Sequence, residues 1–409
     1  MRILILSQFF TPEPTIKNID FAKAMADAGH DVRVLTGFPN YPGGKVYDGY
    51  RVRFVQREVV DGIHVTRVPL YCSHDRSRIG RSANYISFAA SASIAGVFSR
   101  WRPDVMYVYH PPLTVGVAAA LIGFLRRIPF VYDIQDLWPD TLKATGMIGN
   151  DRVLSVIGRF ARFVYRRASL LLPQSPGFAE RLKAVGVSPE KIRVVYNWAD
   201  ETSMKEGAVA TWARPADLAG KFLLVFAGTM GMAQKIENVL DAMVLLKERA
   251  PQVSLLCIGG GIDVPQLKAR AQALGLTNVV FHPPVPMSEI GGVLQSADAL
   301  LVHLRRDPLF NITIPSKTQA YLLAGKPVIM AVQGDAAALI EEADAGFVVE
   351  QEDPPSLAEA VTRLASMSPE SRDAMGRRGK AFYDMRLSAK VGVDSIVSAM
   401  ELAVERFRA

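Results

Sequence analysis

The segment from Thr313 to Val328 carries the densest set of usable chemical groups. Pro315 suits the first turn of a helix, Gly325 its stop and Val328 the start of a strand. A helix opening beside Ser316 and Lys317 presents free backbone N–H groups, a hydroxyl and an ammonium together, which is what a phosphate needs. The same residues also describe an ordinary helix start beside a solvated lysine. Two glycine loops tip the balance. Gly228-Thr229-Met230-Gly231 follows an apolar run at 222–227, and Gly259-Gly260-Gly261 follows another at 255–258. Glycine at a strand end lets backbone come close to a phosphate or a ring with no Cβ between them. Neither loop has the G-x-G-x-x-G or P-loop spacing, so a nicotinamide cofactor or a kinase is unsupported. Three such features at corresponding strand ends read as a seat for a nucleotide.

The first half of the chain offers acid–base chemistry instead. Asp133, Gln135, Asp136 and Trp138 follow the buried-strand pattern at 130–134. A carboxylate at a strand end can accept a proton from a hydroxyl, and an indole can stack on a sugar face. Asp136 could serve so, or it could cap the turn before Leu137-Trp138-Pro139. His110, just before Pro111-Pro112, also ends a strand and is a candidate to line the same site, or a structural histidine.

These residues need rigid elements behind them, and the apolar pattern supplies two series. Strand-like runs at 3–7, 32–36, 65–70, 105–110, 130–134, 170–174 and 192–198 alternate with helical periods at 18–28, 84–98, 153–167 and 178–185. Residues 201–219 lack a period and read as a linker. A second series has strands at 222–227, 254–258, 279–282, 299–304, 328–332 and 347–350. Its helices fall at 236–249, 264–274, 288–296, 316–323 and 336–342, and the chain closes in helices from 354 to 407. Continuous apolar strands with crossover helices imply parallel sheets covered on both faces. The expectation is an α/β chain of two doubly wound domains facing across a cleft, with ligands at the carboxyl ends of the strands.

Composition fits that picture. A chain of 409 residues exceeds one compact core, and 49% apolar against 21% charged residues describes a globular protein. Cys72 and Cys257 stand far apart, which excludes a zinc finger or disulfide scaffold and suits a reducing compartment. The apolar run after Arg2 is too short for a signal peptide, so a cytoplasmic location is expected. Residues 113–125 are too few to span a bilayer and read as a buried helix. The net charge of +7 is uneven: residues 1–200 hold 26 Lys and Arg against 16 Asp and Glu, and residues 201–409 hold 21 against 24. The basic half suggests an anionic partner. Arg152, Arg159, Arg162, Arg166 and Arg167 share a helical stretch with Val153, Ile157, Phe160, Phe163 and Val164. Arg76, Arg78 and Arg81 precede Ile86, Phe88, Ile94 and Phe98. Such stripes suit peripheral contact with an anionic membrane, or a helix packed on the core with a solvated face. Few aromatics accompany them, so nucleic acid is not an expected partner.

Taken in order, the segments resemble the GT-B fold of nucleotide-sugar-dependent glycosyltransferases, specifically retaining family 4. Within it they resemble the bacterial exopolysaccharide and O-antigen (lipopolysaccharide) branch, where N-acetylfucosaminyl transfer is a common activity. The resemblance rests on Ser7-Gln8-Phe9-Phe10-Thr11-Pro12-Glu13, Gly29-His30-Asp31-Val32 and Phe38-Pro39-Asn40-Tyr41-Pro42-Gly43-Gly44. Further on it rests on Asp133 to Pro139, Ala227 to Gln234 and Pro315-Ser316-Lys317. It implies an acceptor-side Rossmann-like domain at 1–200 and a nucleotide-sugar-binding one at 220–385. A C-terminal helix at 386–409 would return to the first domain. Many family members carry two glutamates before the Ala-x-Gly-x-Pro element; here those positions hold Ile312 and Ala320. The family's diphosphate-binding Arg and Lys fall at Thr229 and Gln234. The charge on the diphosphate is then left to Lys317, Arg305 and the helix N-terminus. Where many relatives have histidine this chain has Gln135, which leaves Asp136 as the base.

The resemblance thus implies sugar transfer with retention, from a nucleotide diphosphate donor to a polyprenyl-diphosphate-linked saccharide. A UDP-type donor would sit on Gly228, Thr229, Gly231, Gln234, Arg305, Ser316, Lys317 and Gln319. Its base would lie near Gly260, Gly261, Val285 and Pro286. His110, Asp133 and Trp138 would hold the acceptor, with Asp136 catalytic. No Asp-x-Asp or histidine cluster marks a strand end, so no metal or other cofactor is expected. The alternatives are a nucleotide-sugar epimerase or hydrolase of the same fold, or a non-catalytic subunit of a polysaccharide assembly.

Overall fold

The computed structural model describes residues 1–72, 78–204, 212, 214–215 and 218–409. Much of the expected linker lies outside the described residues, as does Arg76. The chain divides into two compact units, Met1–Tyr196 with Lys390–Ala409, and Asn197–Ala389.

The first unit opens with β1 (Arg2–Leu6), α1 (Ile19–Asp27), β2 (Asp31–Gly37), β3 (Gln56–Val60) and β4 (Ile63–Val68). It continues with α2 (Arg78–Val97), β5 (Val105–Tyr109), α3 (Leu113–Arg126) and β6 (Phe130–Ile134). It proceeds through α4 (Asp140–Ala144), α5 (Asp151–Arg167), β7 (Leu170–Pro173) and α6 (Pro176–Ala184). The sheet runs β3-β4-β2-β1-β5-β6-β7. All neighbours are parallel except β3 and β4. Every residue of β5 and β6 is buried, because helices cover both faces of a parallel sheet. Apolar runs therefore located these strands well. Edge strand β3 was not foreseen, since only alternate residues are sheltered. Its signal was the turn: Asp61 and Gly62, with φ of 47° and 85°, form the tight connection to β4. The strand expected at 192–198 is corrected to an extended segment. Arg193 and Val195 donate backbone bonds to Leu171 and Pro173, but only an isolated bridge at Ile192 results.

Helix α3 lies between α2 and α5. Small residues make the approach close. A Cβ on Gly96 of α2 would stand 2.4 Å from Ile122, and one on Gly116 of α3 would stand 2.6 Å from Val164 of α5. Asn150 starts α5 by accepting from the N–H groups of Arg152 and Val153.

The second unit comprises β8 (Phe222–Ala227), α7 (Ile236–Arg249), β9 (Val253–Ile258), α8 (Val264–Ala273) and β10 (Val279–His282). Next come α9 (Met287–Gln295), β11 (Ala299–His303), α10 (Pro308–Asn311), α11 (Ser316–Ala324) and β12 (Val328–Ala331). It ends with α12 (Asp335–Glu342), β13 (Gly346–Val348), α13 (Pro354–Ser366) and α14 (Pro369–Arg386). Its parallel sheet has the order β10-β9-β8-β11-β12-β13, so the strand order reverses between β8 and β11. That switch point is where a doubly wound sheet opens to a ligand. The final helix, α15 (Ala389–Arg408), belongs to the first unit from Lys390 onward. There Arg406 donates to the carbonyl of Glu190 at 3.1 Å.

Candidate active site

At the carboxyl end of the second sheet, the loops after β8 and β9 lie backbone against backbone. Gly228 N–H donates to Ile258 O and Met230 N–H to Gly260 O, each at 2.8 Å. A Cβ on Gly259 would fall 1.9 Å from Gly228 O, and one on Gly261 equally close to Met230 O. Both have φ values beyond the reach of ordinary side chains, +141° and +154°. Across the switch point the β8 loop is tied to β11. His303 Nδ1 donates to Gln234 O at 2.7 Å, and Arg305 N–H donates to Ala233 O at 2.8 Å. Gln234 Oε1 accepts from Gly231 N–H, so this side chain shapes its own loop.

Helix α11 presents the site's central group. Tyr321 fixes the helix to β8, its hydroxyl accepting from Ala227 N–H at 3.0 Å. Gly325, at φ +66°, stops the helix. Lys317 Nζ is thereby brought 3.7 Å from the ring centroid of Phe226 and 3.4 Å from where a Cβ on Gly228 would stand. This ammonium is buried and has no hydrogen-bond partner among the described residues. Burial pushes its pKa down to about 7, with Cys257 opposing the fall. Cys257 itself is pushed up to about 12 by burial. A buried ammonium beside a helix N-terminus is suited to an anion.

The other expected donor residues are distributed around it. Ser316 and Thr229 are exposed, Gly260 packs against Pro284, and Val285 and Pro286 continue that loop into α9. Arg305 lies across the switch point from the β8 loop but is partly engaged, paired with Asp307 at 3.5 Å. Asp307 in turn caps α10. Gln319 is corrected. It is buried, and with its amide nitrogen facing inward it donates to the carbonyls of Pro315 and Ser316. It braces the turn that holds Lys317 rather than facing a ligand.

At the carboxyl end of the first sheet the residues after β5 and β6 form one cluster. Asp133 is buried and already engaged: Tyr107 donates its hydroxyl to Oδ2, Gln135 donates to Oδ1 at 2.5 Å, and Lys17 Nζ lies 4.0 Å away. Burial raises its pKa against the pull of these partners. It depresses the Lys17 ammonium to about 8. His110 is buried too, its ring edge-on to Tyr132 and to Trp138 with centroids 5.7 and 5.6 Å away. Burial lowers its pKa to about 3, so the ring is neutral. Both residues sit beneath the surface of the cluster, and His110 Nδ1 has no hydrogen-bond partner among the described residues. Asp133 O accepts from His110 N–H, and the pair fixes the loop that carries Trp138 and Asp136.

Asp136 differs from its neighbours. It is half-buried, and its carboxylate makes no hydrogen bond or ion pair among the described residues. α4 begins after Pro139 without a side-chain cap, so Asp136 is not capping it. Burial alone lifts its pKa to about 6. A carboxylate with that pKa and free lone pairs is equipped to take a proton near neutrality.

Sequence reasoning missed several supports. Glu13 is buried and accepts from the N–H groups of Phe10, Asn40 and Tyr41, closing the loops after β1 and β2 on each other. Arg67, fully buried, donates to Glu58, Gly37 O and Thr11 O. Glu13 stood inside a recognised motif without a role. Lys17, Tyr107, Arg67 and His303 gave no local signal, because their partners are distant in sequence.

Comparison with known proteins bears on the two domains and their fold. Residues 20–198 match the glycosyl transferase 4-like domain, and residues 212–382 match the glycosyl transferases group 1 domain. The "Putative colanic acid biosynthesis glycosyl transferase WcaI" of Escherichia coli K12 is 27% identical over 343 residues, covering 81% of this chain and 83% of that one. The "Probable glycosyltransferase WbjE" of Pseudomonas aeruginosa is 24% identical, covering 68% and 70%. Among solved structures, Anabaena HepE in complex with UDP and glucose superposes with a TM-score of 0.72 at 19% identity, covering 98% of this chain and 100% of that one. Two doubly wound α/β units with glycine-rich strand ends in the second define the GT-B fold, and the domain matches make the chain a glycosyltransferase. The chain carries two glycosyltransferase domains in tandem, a 4-like domain in its first half and a group 1 domain in its second.

Proposed function

We propose that this enzyme transfers a sugar, with retention of configuration, from a UDP-sugar to a polyprenyl-diphosphate-linked saccharide in surface polysaccharide biosynthesis. A hexosyl or N-acetylhexosaminyl group, N-acetylfucosamine among them, is the proposed cargo. The carrying observation is Lys317, a buried ammonium with no hydrogen-bond partner among the described residues, at the N-terminus of α11. The diphosphate would supply its anion. The bond from the anomeric carbon to the diphosphate oxygen breaks, the charge developing on that oxygen is met by Lys317 and the N-terminus of α11, and the acceptor oxygen bonds to the carbon. Asp136 takes the acceptor's proton, and Trp138 offers its face to the sugar. We propose that no metal takes part. The colanic acid assignment of the E. coli relative, and the UDP held by HepE, support the donor class and the setting. A lipid-linked acceptor further implies work at an anionic membrane surface.

Calorimetry with UDP tests the seat. Lys317→Ala should weaken binding by about 1.5–3 kcal/mol, the scale of a charge-assisted hydrogen bond. Wild-type affinity should fall as pH rises above about 7, because the free ammonium loses its proton there. Equal UDP affinity in the variant would misplace the seat, and tighter GDP binding would overturn the base. Product analysis with and without a lipid-linked acceptor, in EDTA, then separates transfer from acceptor-independent turnover.

A further inference from the structure

The helical layer α2, α3 and α5 has an outer face that sugar transfer does not use. Along α2 the outward positions are Ile79, Ser82, Ile86, Ala90 and Ile94, with Phe98 just past its end. No charged residue occurs from Ser82 to Phe98. Beside it, α3 turns Leu121, Phe124 and Leu125 to solvent and has no charge before Arg126. The helix expected at 113–125 is otherwise buried or half-buried, and this stripe near its end is the exception. Helix α5 adds Val153, Val156 and Phe160. Phe98 is 80% exposed, Phe124 67% and Phe160 53%. Single exposed apolar side chains are ordinary; a set spread over three adjacent helices marks a contact surface.

The border of this face is cationic and unneutralised. Helix α5 carries Arg152, Arg159, Arg162, Arg166 and Arg167, and none forms an ion pair among the described residues. At one end Phe124, Arg127, Arg167 and Phe407 line an open cavity of ≈ 340 Å³. There the Arg167 guanidinium lies 5.5 Å from the Phe124 centroid. Apolar rings beside two arginines fit the boundary between a lipid phosphate and its acyl chains. A second copy fits poorly, since a twofold contact would set the arginines against each other. No helix among the described residues is long and apolar enough to cross a membrane, so the fit is to a surface.

We propose that the outer faces of α2, α3 and α5 dock on an anionic lipid bilayer. The apolar side chains enter the headgroup boundary, and the cavity between Phe124 and Phe407 takes one lipid phosphate. The inference rests on the lipid-linked acceptor proposed above, for which it supplies the face that meets the membrane.

Co-sedimentation of the full chain with phosphatidylcholine vesicles, with and without phosphatidylglycerol, tests it. Binding should require phosphatidylglycerol and weaken at high salt. Phe124→Ser with Leu125→Ser, and separately Arg159→Gln with Arg166→Gln, should each reduce it about tenfold or more. UDP affinity and melting temperature should stay at wild-type values, which shows the variants fold. Equal binding to neutral vesicles, or full binding by both variants, would overturn the proposal. So would a concentration-dependent dimer abolished by the Phe124→Ser, Leu125→Ser variant, which would make a second copy the occupant. Transfer to a detergent-dispersed acceptor without vesicle binding would sink the docking face alone. Vesicle binding without transfer would sink the proposed function alone.

Discussion

Asp136 carries its charge at a cost. An ordinary aspartate titrates near 3.8, and burial raises this one to about 6. The folded state therefore binds the proton more tightly than the unfolded one. The stability this contributes is fully present below about pH 4 and is lost as pH rises through about 6. At pH 7 the bare carboxylate is a burden that structure alone gives no reason to keep, whereas a base would need it. Asp136→Asn should lower kcat by about 10²–10⁴-fold, the usual worth of general base catalysis. Its melting temperature at pH 7 should equal or exceed wild type, because the substitution removes a poorly solvated charge. In the wild type, kcat/KM should fall tenfold per unit as pH drops below about 6. Near-normal turnover, or an acid limb absent from that range, would remove Asp136 from the chemistry.

The loops after β8 and β9 make a different demand, on backbone rather than side chain. A methyl on Gly259 would enter the space of Gly228 O, so the two loops would have to part. Gly259→Ala should therefore lower the melting temperature and weaken UDP binding together, checked by calorimetry on one preparation. A variant that binds UDP normally would show that the loops need not touch. Such loops were legible in the sequence because glycines recur at corresponding strand ends, where a single glycine would mark only a turn. The buried strands were legible from continuous apolar runs, and Lys317 from the Pro315 and Gly325 that bracket its helix. What escaped was set by distant pairing. Asp133 reads as a free carboxylate until Tyr107 and Lys17 arrive from other elements, and His110 reads as a ligand until Tyr132 and Trp138 enclose it. Residues 113–125 looked wholly buried because their apolar count is high. Periodicity cannot say whether the outer stripe of such a helix meets protein or water.

Across the whole molecule the excess of positive charge falls in residues 1–200, which supply most of the first unit, including the helices with the exposed apolar face. That unit is also interrupted in sequence, because α15 completes it after the entire second unit has intervened. Helix α15 buries Val393, Ile396, Met400 and Val404, and a fully buried aliphatic side chain is worth about 1.5–3 kcal/mol. A chain ending at Ala389 should retain UDP binding on the second unit, while the first unit melts several degrees lower in differential scanning calorimetry. Coincident loss of both would show that the units do not fold separately. The interruption also has a consequence for biogenesis. A ribosome delivers the second unit complete and contiguous, while the first still waits for its closing helix. Order of synthesis and order of folding are then reversed. Until Val393, Ile396, Met400 and Val404 of α15 dock, the nascent first unit exposes apolar surface that a chaperone would have to cover.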